Sequence, residues 1–239
     1  VVGPFCSIGK GVTLGAGCVL HSHVVLEGTS LFGERNIFFP FAMVGLRSQD
    51  LKYQGEPTFL EVGSYNVFRE NCSINRSTLS DGKTVIGNHN HFLVSSHVGH
   101  DCVIGNHVIL SGFAGVAGHV TVEDYAILSG FAALHQFVRV GKHSIISAVS
   151  RVSQDVPPFC IVDGHPAHTR GVNQIGLARR GFSEQDIRNI KSAYRKLFLK
   201  KVTNQEEALH FLATDPELSQ DPHVCYLVEF IRGSQRGIS

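Results

Sequence analysis

Histidines gather in the middle of the chain, where His97-Val98-Gly99-His100-Asp101 is followed by Ala117-Gly118-His119 and then by Leu134-His135-Gln136. A neutral imidazole near pH 7 can take a proton from a hydroxyl, and a carboxylate beside it can hold its tautomer. A backbone N–H from a residue with no side chain to block approach can meet an oxyanion. These are the parts of direct acyl transfer to an alcohol, and they require no serine or cysteine nucleophile. Three histidines can equally ligate zinc, so spacing alone also allows a zinc-dependent hydratase. A third reading, a scaffold without catalysis, treats each wall histidine as a surface residue. His21, His23, His89, His91, His107 and His143 are read that way here.

A period of six residues would bring the central group together. From Ile86 to Val152 an aliphatic or aromatic residue falls on each sixth position: Ile86, Phe92, Val98, Ile104, Leu110, Val116, Val122, Leu128, Leu134, Val140, Ile146 and Val152. That period fits neither a helix nor a free strand. A small residue often follows, as in Ile104-Gly105 and Val116-Ala117, and the pattern is the hexapeptide repeat of a parallel β-helix. Three hexads make one coil, so residues eighteen apart stack at about 4.8 Å with the apolar position inside. Gly118 then lies one coil above His100, and His119 one coil above Asp101. The register also runs through Ile8, Leu14, Leu20, Leu26 and Phe32, and through Val62, Phe68 and Ile74. It is interrupted by a polar stretch from Gly45 to Pro57 and a shorter one from Ser77 to Lys83, both expected to leave the solenoid as loops.

Composition agrees. The 239 residues are 43% hydrophobic, enough for a continuous core, and a net charge of +1 argues against a nucleic-acid binder. No run is long enough to span a membrane and no secretory signal opens the chain. Val1 already lies inside the pattern, so earlier coils or an initiator Met are expected to precede it. The six cysteines (Cys6, Cys18, Cys72, Cys102, Cys160 and Cys225) form no C-x-x-C pair and read as reduced packing thiols of a cytoplasmic protein.

The solenoid is expected to span residues 1–158, because Pro157-Pro158 should stop the ladder. Residues 159–181 read as a connecting segment, and residues 182–239 as a helical domain capping the open edge. Ser183 to Asp186 has capping-box spacing, and Ile187, Ile190, Tyr194, Leu197 and Phe198 fall on one helical face. A second helix is expected after Thr203-Asn204, carrying Ala208, Leu209, Phe211 and Leu212, and a third from about His223 to Ile231. Arg179, Arg180, Arg188, Lys191, Arg195, Lys196, Lys200 and Lys201 make this region basic, either as a solvated face or as a docking patch for an acidic partner.

The hexads do not stand alone. Ser48-Gln49-Asp50-Leu51-Lys52-Tyr53, His97-x-x-His100-Asp101-Cys102, Ala117-Gly118-His119-Val120, His135-Gln136-Phe137, Gln154-Asp155-Val156-Pro157-Pro158 and Gly171-Val172-Asn173 occur in this order. They lead to Gly176-Leu177-Ala178-Arg179-Arg180-Gly181-Phe182-Ser183. Together they resemble the acyl-[acyl-carrier-protein]:UDP-N-acetylglucosamine O-acyltransferases of lipid A biosynthesis over nearly the whole chain. The resemblance implies a left-handed β-helix, a homotrimer with each site in the cleft between two subunits, and no cofactor or metal. It implies transfer of a 3-hydroxy fatty acyl chain from acyl carrier protein to the glucosamine 3-hydroxyl, the first step of lipid A synthesis, with no covalent intermediate. His100 would be the general base, Asp101 its orienting partner and Gly118 the oxyanion donor. Asp50, Lys52, His97 and His119 would contact sugar or phosphates. His135, Gln136, Asn173, Arg179 and Arg180 would hold the nucleotide or the carrier's pantetheine arm, and the basic patch of Arg188, Lys191, Arg195 and Lys196 would dock the acidic carrier protein.

Three positions depart from the family pattern. Ile175 stands where an acidic residue often helps hold the nucleoside, and its hydrocarbon side chain accepts no hydrogen bond; Gln174 could take part instead. Ala148 stands where members accepting longer chains often have Gly, so its methyl implies a shorter preferred chain. Asn75 replaces a common His. Two alternatives stay beside this reading: a zinc hydratase of the kind seen in β-helix carbonic anhydrases, and N-acylation of a 3-amino nucleotide sugar.

Overall fold

A computed structural model describes residues 1–199 and 205–239. Most strands are only two residues long, such as His97–Val98, Gly115–Val116 and Ala133–Leu134. Each pairs in parallel with the strand one lap away: His97 opposite Gly115, Gly115 opposite Ala133. Among the described residues the strands form three walls of eight, seven and nine strands, and the whole is a left-handed parallel β-helix with a helical cap. Every apolar hexad residue from Ile86 to Val152 is buried. Phe38, Phe68 and Phe92 stack face to face inside, 4.7 and 5.0 Å between centroids. Ile8 and Leu14, in the first laps, are less covered.

The corners hold what periodicity did not reveal. One residue per corner sits at φ near +60°, among them His89, Asp101, His107, His119, Tyr125, Phe137 and His143. This backbone region is costly for residues other than Gly and persists where surroundings hold it. Here the side chains hold one another. Tyr65, His89, His107, Tyr125 and His143 form a column of parallel rings 4.6 to 4.9 Å apart. His23 stacks between Phe5 and Phe41, and His21 on Phe39. Five of the six histidines read as plain surface residues are therefore packing elements. His143 is driven to about 4 by burial, reinforced by Lys142 and Arg180, so it is neutral at pH 7.

Both expected excursions occur, with shifted edges. The first runs between strands Met43–Leu46 and Phe59–Val62, so Gly45 and Leu46 remain in the wall; the second runs between Ser73–Asn75 and Lys83–Ile86. Pro157 and Pro158 do not end the ladder. The lap that carries them is two residues shorter, pairing Ile145 with Ile161 where the previous lap pairs Ile127 with Ile145. The N–H groups used there belong to Val156 and Phe159, which donate to Arg139 and Lys142 carbonyls. The prolines thus fall where no donor is needed, and Gly141 below has no Cβ to strike Pro158. The segment read as a connector is therefore sheet: Cys160–Gly164 joins the nine-stranded wall, Ala167–Val172 pairs antiparallel with it, and only then does helix α1, Gln174–Arg179, begin.

Helix α2, Glu184–Tyr194, opens with the anticipated capping box between Ser183 and Asp186. Helix α3 covers Gln205–Thr214 and α4 Pro222–Arg232. The expected start at Thr203-Asn204, with Lys200 and Lys201, lies outside the described residues. Ile190, Ala193, Leu212, Val224 and Leu227 pack with Phe159, Cys160 and Val172 at the end of the solenoid. Tyr226 and Phe230 of α4 clamp the cap to the wall: Lys142 lies over Tyr226 at 3.8 Å, Arg139 over Phe230 at 4.3 Å, and the Tyr226 hydroxyl bonds Glu123.

Candidate active site

His100 and Asp101 follow the short strand His97–Val98, and Asp101 is the corner residue of its lap. His100 is buried, and its Nδ1 lies 2.7 Å from Asp101 Oδ2. Burial would raise the Asp101 carboxyl. Hydrogen bonds from Ser77, His100 and the Thr78 N–H, with His119 nearby, outweigh it and hold the carboxyl below its ordinary range. An ionised partner keeps the imidazole proton on Nδ1, so Nε2 carries the lone pair. Nε2 faces Asp50 Oδ2 at 3.9 Å.

Gly118 comes from the lap above, as eighteen-residue stacking requires. A Cβ there would sit 2.5 Å from His100 Nε2, so glycine lets the ring lie against the backbone. The Gly118 N–H donates to no acceptor among the described residues. His119 stands edge-on to His100 at 5.1 Å, lies flat on Phe137 at 4.6 Å, and has Nε2 3.8 Å from Asp101 Oδ2.

The first excursion folds back onto this wall and brings Asp50 to His100. Arg47, Ser48, Asp50 and Tyr53 of this excursion, with Asn75, line an open cavity of about 790 Å³. Asp50 Oδ1 accepts the Lys52 N–H at 2.9 Å, and Lys52 itself is exposed. His97 Nδ1 lies 2.8 Å from Ser73 Oγ, and burial, with His100 close by, holds His97 low and therefore neutral. His135 and Gln136 are exposed two laps above Gly99 and His100, with His135 Nδ1 3.2 Å from Arg236.

Asn173, Arg179 and Arg180 do not join this group. They line a second cleft of about 830 Å³ with Ile127, Ile145, Ile161 and Ile175, on the nine-stranded wall. Asn173 caps α1 and donates to the His143 carbonyl, and Arg180 lies over Tyr125 at 4.6 Å. Ile175 is 69% exposed in this cleft, so its hydrocarbon surface is offered to whatever enters it. Ala148 is exposed beside the corner residue Val149. In the basic patch Arg188 is held by Glu184 and Gln185, Lys196 lies over Phe211, and Arg195 is exposed.

Ser77, Thr78 and Thr84, which touch the site, were given no role in the sequence because they sit in or beside a segment visible only as a break in the hexad, and Ser48 stood out only as part of a motif. The one available signal was a Ser-Thr pair in a break that ends at Gly82. His100, Asp101 and His119 are the described residues whose ligand atoms converge, within 4.8 Å of one another. Both Asp101 oxygens already accept hydrogen bonds, from Ser77 and from Thr78 and His100, so a dication would have to displace them.

Residues 155–239 match the family model described as UDP-N-acetylglucosamine O-acyltransferase, domain 2. Over 236 residues the chain is 58% identical to the acyl-[acyl-carrier-protein]–UDP-N-acetylglucosamine O-acyltransferase of Akkermansia muciniphila, spanning 99% of this chain and 91% of that protein. The chain belongs to the acyl-[acyl-carrier-protein]–UDP-N-acetylglucosamine O-acyltransferase family. A second acyltransferase of that name, from Thermodesulfovibrio yellowstonii, is 44% identical over 239 residues, spanning 100% of this chain and 92% of that one. Solved acyltransferase structures share the fold. The UDP-N-acetylglucosamine acyltransferase of Francisella novicida superposes with a TM-score of 0.93 at 36% identity, covering 99% of this chain and 86% of that one. The Arabidopsis enzyme gives 0.91 at 38%, covering 99% and 93%. Among the described residues no helix is long and apolar enough to cross a membrane.

Proposed function

We propose that the chain transfers a 3-hydroxy fatty acyl group from acyl carrier protein to the glucosamine 3-hydroxyl of UDP-N-acetylglucosamine in one step, with His100 as general base. The observation that carries this is the His100 geometry: Nδ1 tied to an ionised Asp101 and Nε2 left as an acceptor on the side of Asp50. The acceptor hydroxyl gives its proton to Nε2 as its oxygen attacks the thioester carbonyl. The tetrahedral oxyanion takes a hydrogen bond from the Gly118 N–H, then collapses, breaking the C–S bond. The leaving thiolate recovers the proton from His100, so the base ends neutral. Cys102, the neighbouring thiol, is no rival nucleophile: burial pushes it up to about 12, and its Sγ points at the Ala117 carbonyl 3.0 Å away.

The working unit is a homotrimer with the site between two copies. Two observations support this. Asp50, implied in sugar contact, and Asn173, Arg179 and Arg180, implied in holding the nucleotide or the pantetheine arm, line separate clefts on one chain. An apolar corner stripe of Phe113, Phe131 and Val149 is 53%, 61% and 69% exposed, large for a lone surface. His119, His135 and Gln136 complete the polar lining, and Arg188, Lys191, Arg195 and Lys196 receive the acidic carrier protein. All six cysteines are free and four are buried, which supports a reducing cytoplasmic location.

Incubation with UDP-N-acetylglucosamine and a series of acyl carrier proteins, followed by product mass, tests the function. Both directions must be followed, because thioester-to-alcohol transfer can be nearly balanced. Acylated nucleotide sugar is expected, with Ala148→Gly shifting the preferred chain to greater length; no acylated sugar in either direction removes the proposal.

A further inference from the structure

We propose that Ser77 and Thr78, in the excursion between Ser73–Asn75 and Lys83–Ile86, are positioning residues that fix the Asp101 carboxylate and tie it to the Asp50 loop. The inference rests on His100 acting as the general base. Asp101 makes three hydrogen bonds with this one segment and the strand it feeds, two accepted by its carboxylate and one donated by its N–H. Ser77 Oγ bonds Oδ1, the Thr78 N–H donates to Oδ2 at 3.0 Å, and Thr84 Oγ1 accepts the Asp101 N–H at 2.9 Å. With His100 also on Oδ2, both oxygens are engaged and the carboxylate cannot rotate away from the imidazole. The Leu79 N–H donates to Ser77 Oγ at 3.0 Å, and of the two acceptors open to the hydroxyl, Asp101 Oδ1 is nearer than the Leu79 carbonyl at 3.3 Å. Gly82 leaves room for that hydroxyl, since a Cβ there would overlap Ser77 Oγ.

The same segment reaches the substrate side. Thr78 Oγ1 shares a hydrogen bond with Ser48 Oγ, which accepts the Asp50 N–H at 3.1 Å. A continuous path therefore runs from Asp50 through Ser48 and Thr78 to Asp101 and His100, joining two loops that the sequence separates by more than a full lap. Two hydroxyls divide the work: Ser77 holds the acid partner of the base, and Thr78 holds the loop that faces it.

The two functions separate in steady-state kinetics on the full-length chain, with an acyl carrier protein thioester and UDP-N-acetylglucosamine. Ser77→Ala removes a donor to a carboxylate and should lower kcat about tenfold, leaving KM for the nucleotide sugar unmoved. Thr78→Val keeps the backbone N–H and the branched shape but loses the hydroxyl; its loss should lie in KM for the nucleotide sugar, and Thr78→Ser should restore it. Wild-type constants for either variant, failure of Thr78→Ser to restore KM, or equal losses in both constants with a lowered Tm would overturn the inference. His100→Ala run in parallel keeps the two levels apart. A fully active His100→Ala removes the general-base reading itself, whereas an inactive one beside wild-type Ser77 and Thr78 variants removes only this inference.

Discussion

Replacing His100 with alanine lowers kcat by about 10²- to 10⁴-fold, the range spanned by a positioned general base. Two features make the loss large. The buried imidazole is the group whose free nitrogen points out of the dyad, and the groups around it cannot substitute. Asp101 is held low and fully bonded, Asp50 is 3.9 Å beyond Nε2, and His119 is turned edge-on and stacked on Phe137. The interior is untouched, because His100 lies outside the apolar hexad positions that fill it. The variant should therefore keep the melting temperature and oligomeric state of the parent. A transfer assay under saturating carrier and sugar, paired with thermal melting, checks both halves. Near-normal turnover in a folded variant would remove His100 from the mechanism.

A single methyl at Gly118 should cost about 100-fold in kcat, the scale expected when a reacting group is displaced by about 1 Å. Alanine at this position retains the N–H, so any loss reports the imidazole rather than the missing oxyanion donor. The new Cβ would fall 2.5 Å from His100 Nε2, well inside contact distance, and the ring would have to leave both Gly118 and Asp101. Steady-state kinetics on Gly118→Ala, with a melt to verify folding, makes the comparison. Retention of full kcat would mean that the close packing of ring and backbone has no part in catalysis.

The interior of this molecule was legible because one residue in six must be apolar, and Ile86 through Val152 obey that without exception. The dyad and its glycine were legible for the same reason: once eighteen residues make a lap, His100, Asp101 and Gly118 have only one way to meet. What sequence reading missed lies where the period carries no constraint. Corner residues at positive φ are chosen by neighbours one lap away, so His89, His107 and His143 look solvent-exposed until Tyr65 and Tyr125 are seen stacked with them. Pro157 and Pro158 look like a stop until the shorter lap shows that neither position owes a donor. The loops are harder still. Leaving the solenoid frees Ser48, Ser77 and Thr78 from its register, and only the folded path of both excursions brings Ser77 and Thr78 to Asp101 and Ser48 to Thr78.

In the proposed mechanism the acyl group passes straight from thioester to sugar hydroxyl, with no stop on the protein. Intact-mass measurement after mixing the chain with acyl carrier protein thioester alone tests this most directly. Unchanged protein mass, with acyl product appearing only after nucleotide sugar is added, is the predicted result. A chain heavier by one acyl group, formed without the sugar and discharged by adding it, would contradict the claim.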